Sequence, residues 1–126
     1  MQTHYERIGG EEVVHKLVDR FYDLMDLQQD FQGIRELHAK SLKASREKLF
    51  MFLSGWLGGP QLYVEKYGHP RLRQRHLPFA IGDTERDQWM NCMIQAMQDL
   101  GLEEGLREEL KGAFWKTADF MRNKEV

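Results

Sequence analysis

Nine valines and isoleucines stand against 22 leucines and methionines, with only three threonines, and this imbalance constrains the chain more than any other feature. β-Branched side chains are stiff at χ1 and fit the pleated surface of a sheet, whereas Leu and Met lose little freedom in a helix. A chain so composed has little from which to build strands. Its apolar residues also recur at spacings of three and four, the period of a helix with one buried face. The expectation is an all-α fold, and 126 residues suit a single domain spanning 1–126.

Glycine and proline divide the sequence into helical pieces. After Gly9-Gly10, Glu11 and Glu12 suit the positive end of a helix, and Val14, Leu17, Val18, Phe21, Tyr22 and Met25 form one stripe. That predicts a helix over roughly 11–26. Residues 30–37 read as a short helical turn capped by Asp30 and weakened by Gly33. A second long stripe, Leu42, Ser45, Leu49, Phe52, Leu53 and Trp56, is stopped by Gly58-Gly59-Pro60. The segment between Pro70 and Pro78 is too brief for more than two turns. Thr84 and Asp87 resemble a capping box opening a helix with Trp89, Met93, Ala96, Met97 and Leu100. A last helix carries Leu106, Leu110, Ala113, Phe114, Thr117 and Met121. The count is four long helices with two or three short ones.

Charge and cysteine content narrow the chemistry. Eighteen basic and 20 acidic residues give a net charge of −2, without the basic excess of a nucleic-acid binder. The single Cys92 excludes an internal disulfide, a CxxCH haem attachment and a zinc site built on cysteine pairs. No apolar run approaches the ~18 residues that span a bilayer, and the first residues lack a signal-peptide pattern, so a cytoplasmic protein is expected.

Five histidines remain. His4 lies near an end expected to fray and His15 falls among polar neighbours on the first long helix, and both read as solvated surface residues. His69 precedes a proline and suits loop capping. His76, beside Leu72, Leu77 and Phe79, reads either as a satisfied core or capping histidine or as an imidazole held at the wall of an apolar pocket. Tyr22, Ser45 and Trp89 are polar groups on apolar stripes. Their partners are either backbone carbonyls or a polar ligand in a cavity on which they converge. Arg71, Arg73 and Arg75 with Lys66 form a basic run whose spacing of two prevents a shared helix face. It is either solvated or available for carboxylates at a pocket rim.

Longer strings carry a resemblance. Phe50-Met51-Phe52-Leu53-Ser54-Gly55-Trp56-Leu57-Gly58-Gly59-Pro60 with Leu62-Tyr63, then Tyr67-Gly68-His69-Pro70-Arg71-Leu72-Arg73-Gln74-Arg75-His76-Leu77-Pro78-Phe79, and finally Glu85-Arg86-Asp87-Gln88-Trp89-Met90-Asn91-Cys92-Met93 stand in order. With Gly9-Gly10 and Arg20-Phe21-Tyr22, this pattern is similar to that of the group II truncated haemoglobins over residues 5–100. Beyond that point the sequence shows only helical periodicity.

The resemblance implies a two-over-two helical sandwich around a non-covalent haem b. It implies His76 as the proximal iron ligand, and Tyr22 and Trp89 as distal hydrogen-bond donors. His38 falls at the pocket edge, and Ser45 where ordinary globins carry their distal histidine. Leu49, Phe52, Leu72 and Phe79 become pocket walls. Lys48 and Arg75 become partners of the haem propionates, with Tyr63 and His69 as helpers. The family's proline after the pocket-edge His is Ala39 here, which predicts a looser loop around His38. Implied ligands are O2 and, with it, NO, CO, sulfide or peroxide. The implied work is redox chemistry on peroxide or reactive nitrogen species with an electron donor of unspecified identity, or else storage or sensing of a gas without catalysis. A monomer or a homodimer accommodates either. Haem added to the purified protein should produce an intense Soret band; its absence would leave only a haem-free helical interaction module.

Overall fold

The computed structural model describes residues 2–124, all of whose regular elements are helical. Eight α-helices run α1 His4–Ile8, α2 Glu11–Leu27, α3 Gln32–Arg35, α4 Lys43–Trp56, α5 Leu62–Tyr67, α6 Leu72–His76, α7 Asp83–Asp99 and α8 Glu104–Phe120, with a 3-10 turn at Gln29–Phe31. The four long helices are those expected from periodicity. They pair as α2 with α4 and α7 with α8, and α2 lies across α7.

The stripe read along α2 is the buried one. Val14, Leu17, Phe21 and Met25 are wholly shielded from solvent, and Tyr22 nearly so. Burying side chains of this kind contributes roughly 1.5–3 kcal/mol each. From α7 come Cys92, Met93, Ala96 and Met97, and from α8 Leu106, Leu110 and Phe114. The Cys92 Sγ–H donates to the carbonyl of Phe21, 3.2 Å away. Burial pushes its thiol up to about 12, so it packs as a small apolar group.

Helix α4 differs from its sequence reading. Phe50, Met51, Leu53 and Ser54 face the core, whereas Ser45, Leu49, Phe52 and Trp56 are only half-buried. These four sit at i, i+4, i+7 and i+11, a single face at the edge of the core, against which Leu49, Phe52 and Trp56 pack while staying partly open. The helix is therefore apolar on two sides. One makes the α2–α4 contact; the other is part of the site described below.

The helix starts also differ in detail. Asp30 lies inside the 3-10 turn, which Gln28 precedes as its cap. Helix α7 starts one residue before Thr84: its cap is Gly82, whose N–H donates to the Glu85 carboxylate at 2.8 Å. A glycine needs no side chain there, because Glu85 reaches back to the exposed donor. His4 belongs to a capped helix rather than a fraying end. Thr3 and Glu6 close the start of α1, and the His4 Nε2 lies 3.3 Å from Glu109 of α8. Gly9, at φ 119°, ends α1, and a Cβ there would lie 2.7 Å from Val13 Cγ2. His15 is exposed but stacks on Phe50 with ring centroids 3.5 Å apart.

The wholly buried Ser54 ties α4 to the turn that follows it, donating to the Pro60 carbonyl at 2.7 Å. Ser54→Ala would leave that acceptor without its partner, so the midpoint of urea unfolding should fall by the equivalent of about 1–3 kcal/mol with an unchanged slope.

Candidate functional site

The half-buried face of α4 belongs to a continuous run of rings drawn also from α2, the loop after α3, α5, α7 and α8. His38 lies edge-on to Tyr22 with centroids 5.8 Å apart, and Tyr22 meets Phe21 at 5.0 Å. Phe21 meets Trp89 at 5.3 Å, and Trp89 meets Phe114 at 5.6 Å. Phe114 stacks on Trp56 at 4.7 Å; Trp56 leads through Phe52 to Tyr63 and then Tyr67. Periodicity placed Phe21, Trp56 and Phe114 on helical stripes without marking them as site residues. Their part depends on the crossing of α2, α4, α7 and α8, which local spacing does not encode.

Two polar groups in this arc lack protein partners. Tyr22 is 5% exposed, yet its hydroxyl donates to none of the described residues. Burial raises its pKa far above the ordinary phenol range, so the group stays a neutral donor. The indole N–H of the half-buried Trp89 is likewise uncommitted among the described residues. Backbone carbonyls, the bland alternative for both, do not take these protons. Buried Tyr and Trp normally find an acceptor. The two donors flank the wholly buried Phe21 and have no acceptor among the described residues.

The two informative histidines share one device. His76 Nδ1 lies 2.7 Å from the Leu72 carbonyl, and His38 Nδ1 lies 2.8 Å from the Ile34 carbonyl. A carbonyl only accepts, so Nδ1 carries the proton and Nε2 keeps its lone pair in each neutral ring. Burial lowers the His38 pKa, opposed by the Ile34 carbonyl and reinforced by the charges of Arg35 and His76.

The loop around His38, which has Ala39 in place of the family's proline, is tied by side-chain hydrogen bonds. The Arg35 guanidinium donates to the carbonyls of Ala39 at 2.9 Å and Lys40 at 2.8 Å, and to Asp26 at 2.9 Å. A planar fork thus does by hydrogen bonding what a fixed φ would otherwise do. Arg46, next to Ser45, reaches Asp23 at 2.7 Å and Asp19 at 3.2 Å, with its guanidinium carbon 5.8 Å from the Tyr22 ring centroid. Neither arginine stood out in the sequence, since an arginine beside acids on helices usually marks solvated surface.

At the other end of the arc, the basic side chains gather. Arg75 donates from Nε to the Pro70 carbonyl at 2.7 Å and lies over the Tyr63 ring at 5.7 Å. Lys48 lies over the Tyr67 ring at 5.7 Å, and the two tyrosine rings are 4.9 Å apart. Arg73 instead donates to the Phe120 carbonyl. His69 is exposed and turns back on its own loop, accepting the Arg71 N–H at 3.1 Å. Arg71 has φ 47°, the one positive value outside glycine among the described residues, immediately before α6. Leu72 is half-buried, and Phe79 is 41% exposed.

This set fits a flat, largely apolar iron macrocycle: an arc of rings, an imidazole with a free Nε2, two idle donors and two cations at one end. A separate cleft of about 550 Å3 between α2 and α4 is lined by His15, Asp19, Lys43, Arg46 and Glu47 among others. It is walled mainly by charged groups and contains neither His38 nor His76.

An all-helical domain with these features is a haem-binding globin of the two-over-two kind. The bacterial-like globin family matches residues 3–123, and this chain belongs to it, within the group II truncated haemoglobins. It is 42% identical to the group 2 truncated haemoglobin of Bacillus subtilis (strain 168), over 94% of this chain and 87% of that one. The group II 2-on-2 haemoglobin of Agrobacterium tumefaciens superposes with a TM-score of 0.96 at 42% identity, covering 99% of this chain and 97% of that chain. A truncated oxygen-avid haemoglobin of Bacillus subtilis gives 0.87 at 42% identity, covering 97% and 100%. Haem b, held without a covalent link, is the cofactor of this family, and gas binding at haem is its shared property. The match also runs some 20 residues past the sequence strings that first carried the likeness. No described helix is long and apolar enough to cross a membrane.

Arg35→Ala removes three hydrogen bonds from the segment carrying His38. The His38 amide, which donates to the Arg35 carbonyl, should then exchange with deuterium roughly tenfold faster. Lysine at 35 should not restore protection, since one ammonium cannot reproduce the fork.

Proposed function

We propose that His76 ligates the haem iron through Nε2, and that Tyr22 and Trp89 are the donors that retain a gas molecule on the opposite side. The carrying observation is the pair of buried or half-buried donors with no acceptor among the described residues. When bound, haem supplies an iron with one coordination position open to a diatomic gas.

The protein's own groups then divide the work. The Leu72 carbonyl holds the proton of His76 on Nδ1, which fixes the tautomer and the ring. Tyr22 keeps its phenolic proton because burial disfavours the anion, and so remains a donor at physiological pH. Trp89 can only donate. His38, neutral at ordinary pH with its proton on Nδ1, presents a lone pair at the pocket edge. Leu49, Phe52, Leu72 and Phe79 exclude water, and Ser45 leaves space where a larger side chain would fill it. Lys48 and Arg75, gathered at the Tyr63–Tyr67 end, neutralise the cofactor's carboxylates, with Tyr63 assisting. His69 serves that end by holding the loop before α6 rather than by its own free nitrogen.

Each donor hydrogen bond contributes about 0.5–1.5 kcal/mol, more where the acceptor carries charge. Two of them slow ligand loss by on the order of a hundredfold. Retention of that kind suits redox work on peroxide or reactive nitrogen species better than oxygen delivery. The oxygen-avid relative from Bacillus subtilis supports the retention half of this reading.

Oxygen dissociation measured by stopped flow should speed up about tenfold in both Tyr22→Phe and Trp89→Phe. Unchanged rates in both would refute the donor network. Fast, reversible release from the unaltered protein without peroxide turnover would instead assign it to storage or sensing.

A further inference from the structure

The segment that carries His76 has little to hold it. Helix α6 is five residues long and contributes no buried side chain. Leu77 and Phe79 just after it are 54% and 41% exposed. A helix this short is not stable alone, and its last carbonyls need partners from elsewhere. Apolar packing does not supply the restraint here.

Those partners come from the far end of the described chain. The Asn123 side-chain Nδ2 donates to the His76 carbonyl at 3.2 Å and the Phe79 carbonyl at 2.7 Å. Its Oδ1 accepts the Ile81 N–H at 3.0 Å. The backbone N–H groups of Asn123 and Lys124 both donate to the Ile81 carbonyl, at 2.8 and 3.1 Å. One residue thereby engages three positions between 76 and 81. Arg73 of α6 adds a further tie, donating to the Phe120 carbonyl at 3.2 Å with its guanidinium over the Phe120 ring.

The underlying strand of chain is itself anchored. Asp119 binds Arg86 of α7 at 2.8 Å and Arg122 at 2.6 Å, and Arg122 reaches Asp83 at 3.3 Å. The residues after α8 are therefore fixed to the start of α7, the same place where the segment from His76 ends.

We propose that Asn123 is a positioning residue for the iron ligand: it sets where the His76 backbone lies, and through that where Nε2 is presented to haem. The inference rests on the reading of His76 as the ligand. It concerns a residue that touches neither haem nor gas, and it assigns a role to the stretch after α8. Asparagine is suited to the task because one amide both donates twice and accepts once. Aspartate retains the acceptor for Ile81 but replaces the donor facing two carbonyls by a repelling oxygen.

The test uses the full chain with Asn123→Asp and Asn123→Ala, each reconstituted with haem. Two quantities are read: the iron–histidine stretching band of the ferrous, gas-free protein by resonance Raman, and the rate of haem transfer to an excess of apomyoglobin. Circular dichroism of the haem-free variants reports whether the helices survive. The expected result is wild-type helicity, a shifted or broadened iron–histidine band, and haem release roughly tenfold faster, the loss of about two hydrogen bonds. Band and release rate at wild-type values in both variants would overturn the proposal. So would faster release with lost helicity and an unmoved band, because that is a general weakening of the fold. His76→Gly, with and without added imidazole, separates the two levels. If it keeps the wild-type band, the ligand reading falls and takes this inference with it. If it loses the band and imidazole restores one, insensitivity to residue 123 overturns this inference alone.

Discussion

The crossing of α2 over α7 at Phe21 is the contact on which the site depends. Phe21 is wholly buried, its ring lies against both Tyr22 and Trp89, and its carbonyl receives the Cys92 thiol. The two donors sit on different long helices, 67 positions apart in sequence. Their separation in space is set by one ring packed between them. Shifting that crossing by a turn would part the donors while leaving each helix intact. The tolerance for such shifts is small, because close-packed interiors transmit strain rather than absorb it.

The two sides of the site are built by different means. Tyr22 and Trp89 stand on 17-residue helices with wholly buried faces, so rigid packing locates them. His38 and His76 stand on segments of one or two turns, and side-chain hydrogen bonds locate those, from a near neighbour for His38 and from just past the end of α8 for His76. Arg35 closes the loop after His38, and Asn123 closes the loop after His76. Both use a planar side chain with several donors to take up backbone carbonyls that a short helix leaves open.

How much of this was legible in the sequence follows from the range of the forces involved. The four long helices are legible because amphipathic spacing is local; α2 was read to within one residue of its end. The short elements were read less well, since a cap is one hydrogen bond that several neighbours can supply, as Gly82 and Gln28 show. On α4 the spacing found part of the buried surface: Leu42 and Leu53 of the stripe are buried and Leu49, Phe52 and Trp56 pack against the core, whereas Phe50, Met51 and Ser54, also buried, fall outside the stripe. His76 and Tyr22 carried weight only through long strings shared with a known family. Arg35, Arg46 and Asn123 carried none: Arg46 and Asn123 are marked by partners far along the chain, and Arg35 by irregular loop carbonyls that no periodicity reveals.

Haem is nearly symmetric about its own plane, and on the proposed reading this fold offers that plane two imidazoles, each with Nδ1 held by the carbonyl four residues back. Imidazole chemistry alone does not tell one side from the other. The distinction comes from the company each ring keeps. The His38 ring lies beside the Tyr22 ring, whereas the hydrogen bonds of His76 are with the Leu72 carbonyl and the Asn123 amide. On the proposed reading, the protein tells top from bottom by the distribution of proton donors, so one side favours an incoming acceptor and the other favours the metal. A single change that moved a donor across that plane would invert the molecule's handedness toward its ligand without altering a helix.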